Sequence, residues 1–123
     1  MKVGMYMDHK EIRKLTIERL KNTKIITAKL NENKRKLEEM ESLKYNEEYI
    51  KKLKLKIKEY EMELCHIKNA MEPLQEREKQ IIVLNLFERV AIKYVTSQLG
   101  LRAKHINRLK TKALDTIGEI LYC

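Results

Sequence analysis

Apolar residues recur along this chain at steps of three and four, the spacing of one helix face rather than the alternation of a strand. Ile12, Leu15, Leu20, Ile26, Leu30, Leu37 and Met40 trace such a stripe, with polar Thr23 and Asn33 on the same general face. Asp8 and Glu11 form a capping-box pattern ahead of it, and Met7 with Ile12 forms the matching hydrophobic staple. The pattern predicts one helix over residues 8–43, after a short lead-in.

A second start signal stands at Asn46, a good N-cap. Glu47 and Glu48 suit the positive end of the helix dipole, and Tyr45 is placed to staple onto Ile50. The cleanest periodicity follows: Ile50, Leu53, Ile57, Tyr60, Leu64, Ile67 and Met71 alternate steps of three and four as a heptad series. The predicted helix is roughly 35–40 Å long at the usual rise per residue. Pro73 ends it or marks the next start. Two amphipathic helices joined around residues 43–46 predict an antiparallel helical hairpin over residues 1–72. The heptad stripe can pack on the first helix, on a second copy of the chain, or on both. Because one hairpin buries little surface by itself, the expectation is a homodimer or higher oligomer formed through that stripe.

From Pro73 the pattern shortens. A third helix is expected with Leu74, Ile81, Ile82 and Leu86 or Phe87 on its inner face, then a short connection over residues 88–91. A fourth helix over residues 91–99 points Ile92, Val95 and Leu99 inward. Gly100 falls where a helix stops and turns, because glycine tolerates the left-handed conformation there. A fifth helix over residues 103–121 buries Ile106, Leu109, Ala113, Ile117 and Leu121. A short helix, a glycine turn and a longer helix make the helix-turn-helix pattern, so residues 73–123 are read as a DNA-binding domain. The fold class is all-α.

Composition agrees with long solvated helices: the 123 residues include only 3 Gly and 1 Pro, with no Trp. Charge sharpens the picture. There are 27 Lys and Arg against 18 Asp and Glu, a net +9, which favours polyanionic partners. The excess is unevenly placed. Between Glu88 and Asp115 no acid occurs, while Arg89, Lys93, Arg102, Lys104, Arg108, Lys110 and Lys112 are all basic. A long acid-free window across the turn and the following helix is where a phosphate-facing surface belongs.

The stretches LQEREKQIIVLNLFE (74–88), VTSQLGL (95–101) and INRLKTKAL (106–114) resemble region 4 of bacterial sigma factors over about 45 residues, mainly at hydrophobic points. That resemblance implies a four-helix module that reads the −35 promoter element. With a coiled-coil N-terminal half, the chain is similar to phage and prophage transcriptional regulators of the ArpU/RinA type, which implies control of late genes. Ala91 and Arg102 stand where the sigma pattern usually has capping Ser or Thr, and Lys104 replaces an acid common early in the recognition helix. No base preference is therefore carried over. Nothing upstream resembles promoter-melting or polymerase-clamp regions, so a self-sufficient sigma factor is not expected.

Burying Ile106, Leu109 and Ala113 turns Ala103, Lys104, Asn107, Arg108 and Thr111 outward as base-contact candidates. Arg108 or Lys104 suits guanine O6 and N7, and Asn107 suits adenine N6 and N7. Lys93, Ser97, Arg102, His105, Lys110 and Lys112 are phosphate-contact candidates. The expected partners are double-stranded DNA, a second copy of the chain and, through the sigma resemblance, RNA polymerase. No cofactor, metal or catalytic residue is expected: His9, His66, His105, Cys65 and Cys123 have no metal spacing, and there is no phosphate loop or nucleophile elbow. With two distant cysteines, no apolar run of membrane length and no signal peptide in residues 1–5, the expected location is the cytoplasm. The alternative is an adaptor that binds RNA polymerase, or a DNA-packaging subunit resembling the small terminase.

Overall fold

A computed structural model describes residues 7–43 and 46–123, and every described element is helical. The order is α1 (His9–Lys21), α2 (Thr23–Ser42), α3 (Glu47–Met71), α4 (Glu76–Ile82), a π-helical turn (Val83–Phe87), α5 (Ile92–Leu99) and α6 (Ala103–Tyr122). Among the described residues no helix is long and apolar enough to cross a membrane.

The single helix expected over residues 8–43 is in fact two. Asp8 caps α1 as anticipated, accepting the Glu11 N–H at 2.8 Å. The helix then stops at Asn22, whose N–H is shared between Glu18 O and Arg19 O at 3.2 Å each. That tightened last turn coincides with Asn22 and Thr23, short polar and β-branched residues that favour helix ends over helix interiors. Asn46 caps α3 through its side-chain oxygen, which accepts from Glu48 N at 2.9 Å. The staple expected from Tyr45 lies outside the described residues.

The chain divides into two compact units, and the division is not the one read at Pro73. One unit comprises residues 23–66, the other residues up to 22 together with residues 67–123. In the 23–66 unit, Leu30 of α2 and Leu53 and Ile57 of α3 are buried. Lys34 pairs with Glu61 at 3.4 Å, and two turns further along α2 Glu41 pairs with Lys54, two turns back on α3, at 3.5 Å. Pairing that advances on one helix as it retreats on the other makes the two antiparallel. The heptad stripe assigned to oligomerisation is thus largely used inside the chain. Leu53 and Ile57 are buried in this unit, Ile67 and Met71 in the core of the other, and Ile50, Tyr60 and Leu64 are half-buried.

The other unit has two clusters. The larger joins Leu20 of α1, Ile67, Ala70 and Met71 at the end of α3, Leu74, Ile82, Leu86, and Ala113, Leu114 and Ile117 of α6. The smaller joins Ile81 of α4, Val95 of α5 and Ile106 of α6, rimmed by Leu84, Val90, Ile92, Leu99, Leu101 and Leu109. Pro73 lies in the turn after α3 rather than inside a helix, and α4 begins only at Glu76. There the Gln75 N–H donates to Oε1 of Glu78 at 2.9 Å, and Glu78 is only 3% exposed. In the π-helical turn the Glu88 N–H reaches back to Val83 O at 2.9 Å, adding one residue to the helical ladder. The wider turn sends Leu86 into the larger cluster and Leu84 against the smaller.

Helices α1 and α6 meet at a glycine. A Cβ on Gly118 would lie 2.8 Å from Ile12 Cγ2 and 3.0 Å from Thr16 Oγ1. Thr16 is fully buried at this contact, and its hydroxyl is satisfied by Ile12 O at 2.7 Å.

Candidate nucleic-acid interface

α5 ends at Gly100, which takes the left-handed conformation (φ 67°, ψ 29°) while its N–H returns to Thr96 O at 2.9 Å. No atom would obstruct a Cβ at Gly100, so the glycine is needed for its backbone conformation and not for space. Leu101 tucks against the smaller cluster, and the chain re-enters a helix at Ala103. Ala91 and Arg102, the N-caps of α5 and α6, make no side-chain cap bond, and neither first turn holds an acid. Both helices therefore present an uncompensated positive dipole end.

The buried side of α6 is Ile106, Ala113, Leu114 and Ile117. Its opposite side carries Ala103, Lys104, Asn107, Arg108 and Thr111, all exposed. Lys104, Arg108, Thr111 and Asp115 follow at steps of four, three and four, so they form one stripe with Asn107 at its border. Arg102, Lys104, His105 and Arg108 together line an open concavity of about 430 Å³. Within it Arg108 Nη2 lies 2.7 Å from His105 Nδ1. A guanidinium only donates, so Nδ1 is the acceptor in this contact. His105 is half-buried, and its ring contacts Arg108 through Nδ1.

The flanking candidates separate. Lys93 and Ser97 are exposed on α5, the lysine ammonium 5.0 Å from the Tyr94 ring centre and the serine hydroxyl donating to Lys93 O at 3.4 Å. Lys112 is exposed beside Arg108 and Thr111, in an open groove of about 630 Å³ whose other wall includes His9 and Ile12 of α1. Lys110 departs from the group. It is half-buried, and burial first, then the nearby charge of Lys21, push its pKa below the usual lysine value.

One contact at this face was missed from the sequence. Arg13 of α1 grips Asp115 with a fork: Nε and Nη2 donate to Oδ1 at 3.1 and 2.9 Å, and Nη2 also to Oδ2 at 3.1 Å. The sequence marks only one partner: Asp115 is the first acid after Glu88 and ends an otherwise cationic stripe, while no pattern points to Arg13. Among the described residues no three His, Cys, Asp or Glu side chains gather as a metal site. No protein-family model, curated protein or solved structure matches the chain.

Proposed function

We propose that the chain is a sequence-specific DNA-binding transcriptional regulator. In this reading α5, Gly100 and α6 act as a helix-turn-helix, with α6 in the major groove. The observation that carries it is the exposed stripe Lys104–Arg108–Thr111 with Asn107 beside it. It occupies the first half of a helix whose other side is locked into the core. That half is the part a recognition helix presents to base edges. Arg108, held by His105, suits a guanine edge, and Asn107 an adenine edge. Arg102, Lys93, Ser97 and Lys112 serve as phosphate contacts that fix register. The likeness to sigma region 4 and to phage regulators of the ArpU/RinA type supports a role at promoters, and the net charge of +9 suits a nucleic-acid partner.

The test is selection of bound duplexes from a random pool, followed by titration of the enriched duplex and a scrambled one. The reading requires tighter binding of the enriched duplex and affinity that falls steeply as salt rises. Equal affinity for both would remove the sequence-specific role, and no affinity for either would remove DNA binding altogether. Capture of RNA polymerase without duplex affinity would favour the adaptor reading.

A further inference from the structure

The fork between Arg13 and Asp115 joins α1 to the stripe on α6 that ends in that acid, and α1 is itself strongly basic on this side. Lys10, Arg13, Lys14 and Lys21 line an open concavity of about 360 Å³ with Ile17 and one acid, Glu18. Lys10, Lys14 and Lys21 are exposed, and among the described residues none has a carboxylate within ion-pair distance. At the far end of α1 cations from three elements converge. Arg89 Nη2 donates to Lys21 O at 3.2 Å, and Lys21 stands close enough to the half-buried Lys110 of α6 to disfavour its charge. At the near end His9 and Ile12 share a groove with Arg108, Thr111 and Lys112.

Two features of this arrangement need explaining. The fold gathers four cations of α1 around a single acid, Glu18, and brings Lys21 close to Lys110, an excess of like charge that costs stability in the free protein. It also neutralises Asp115, the acid next to Thr111 on the stripe, while Glu119 lines the same groove one turn further on. A polyanion lying across both helices accounts for both features. We infer that α1 is a second DNA-contact element, with Lys10, Lys14 and Lys21 gripping the sugar–phosphate backbone next to the groove that α6 enters. This rests on the DNA-binding reading above and extends it: the footprint runs past the helix-turn-helix, and α1 adds affinity without adding sequence preference. Arg13 is a positioning residue that screens Asp115, and the lysines make the contacts.

The experiment compares the full chain with Lys10→Gln/Lys14→Gln/Lys21→Gln and with a charge-matched control, Lys29→Gln/Lys51→Gln/Lys58→Gln, whose lysines are exposed in the other unit. Binding to a fluorescent mixed-sequence duplex is followed across roughly 50–200 mM salt, and thermal melts confirm that all three proteins are folded. Each lost phosphate contact flattens the log–log salt dependence by about 0.9. The α1 variant is expected to lose about two to three units of slope, the control little. Equal slopes for the two variants, with the unaltered chain still binding, would overturn the role of α1 and leave the helix-turn-helix reading standing. Failure of the unaltered chain to bind any duplex would overturn both.

Discussion

Gly118 of α6 faces Thr16 of α1 so closely that a Cβ there would come within 3.0 Å of the threonine hydroxyl and 2.8 Å of the Ile12 methyl. Glycine inside a helix ordinarily costs about 0.5–1 kcal/mol relative to alanine. Here the close approach reverses the sign. Thr16 is fully buried and Ile12 is β-branched, so neither yields cheaply. Gly118→Ala is expected to destabilise the chain by about 1–2 kcal/mol net, the overpacking cost exceeding the helix-propensity gain. Chemical denaturation measures it, and a more stable variant would show that α1 and α6 are not in this contact.

Arg108→Ala should cost about 1–3 kcal/mol against the enriched duplex and much less against a scrambled one. Lys93→Ala should weaken both about equally. His105→Phe removes the acceptor at Nδ1 while keeping the ring's bulk, so its loss should resemble a milder Arg108→Ala. Titrations of both duplexes separate the three, and equal losses for Arg108→Ala and Lys93→Ala would refute the division of roles.

The pKa of Lys110 is lowered in the folded chain, by burial and then by Lys21. The sign follows from proton counting. Where Lys110 is charged in both states, folding bears the full penalty. As pH rises through its folded-state pKa toward the unfolded value near 10.4, the unfolded chain holds more protons and this residue's contribution to stability increases. Lys110→Met, which keeps the apolar stem, should raise the melting temperature at neutral pH while weakening duplex binding. A lower melting temperature would mean that the packing of the stem outweighs the charge.

Arg13→Gln should weaken duplex binding by uncovering the charge of Asp115, and adding Asp115→Asn should restore most of the loss. The ion pair is partly exposed, with side-chain accessibilities of 35% and 45%, so the stability change should stay within about 1 kcal/mol. Equal weakening in the single and double variants would place the effect in lost packing of Arg13 rather than in charge.

Leu53 is 6% exposed on the α3 stripe. Leu53→Ala should destabilise the unit formed by residues 23–66 by about 2–3 kcal/mol. It should leave the sedimentation coefficient unchanged. A shift to a smaller species would return this stripe to a role between copies of the chain.

Much of this was legible in the sequence, and the rest was hidden for physical reasons. The turn at Gly100 and the two helices around it were readable because one residue type and one spacing agree, and the outward set on α6 followed from its inward set. The break at Asn22 was not, since Ile12, Leu15 and Leu20 continue at helical spacing into Ile26 and Leu30. The choice between Leu86 and Phe87 stayed open because the run VLNLF fits either register, and only the π-helical turn decides it. Arg13 was invisible as a site residue because its partner, Asp115, lies at the opposite end of the chain and no local pattern joins them.

The larger core cluster draws Leu20 from α1 and Ala113, Leu114 and Ile117 from α6, so the unit that carries the candidate interface is closed by its first and last helices. On the ribosome, α5 and the turn emerge well before that closure is possible. The nascent chain can form α5 but cannot seat α6 on the core until residues near Ile117 have left the exit tunnel. A chain stalled short of α6 therefore cannot close the larger cluster, whatever its other helices have already formed.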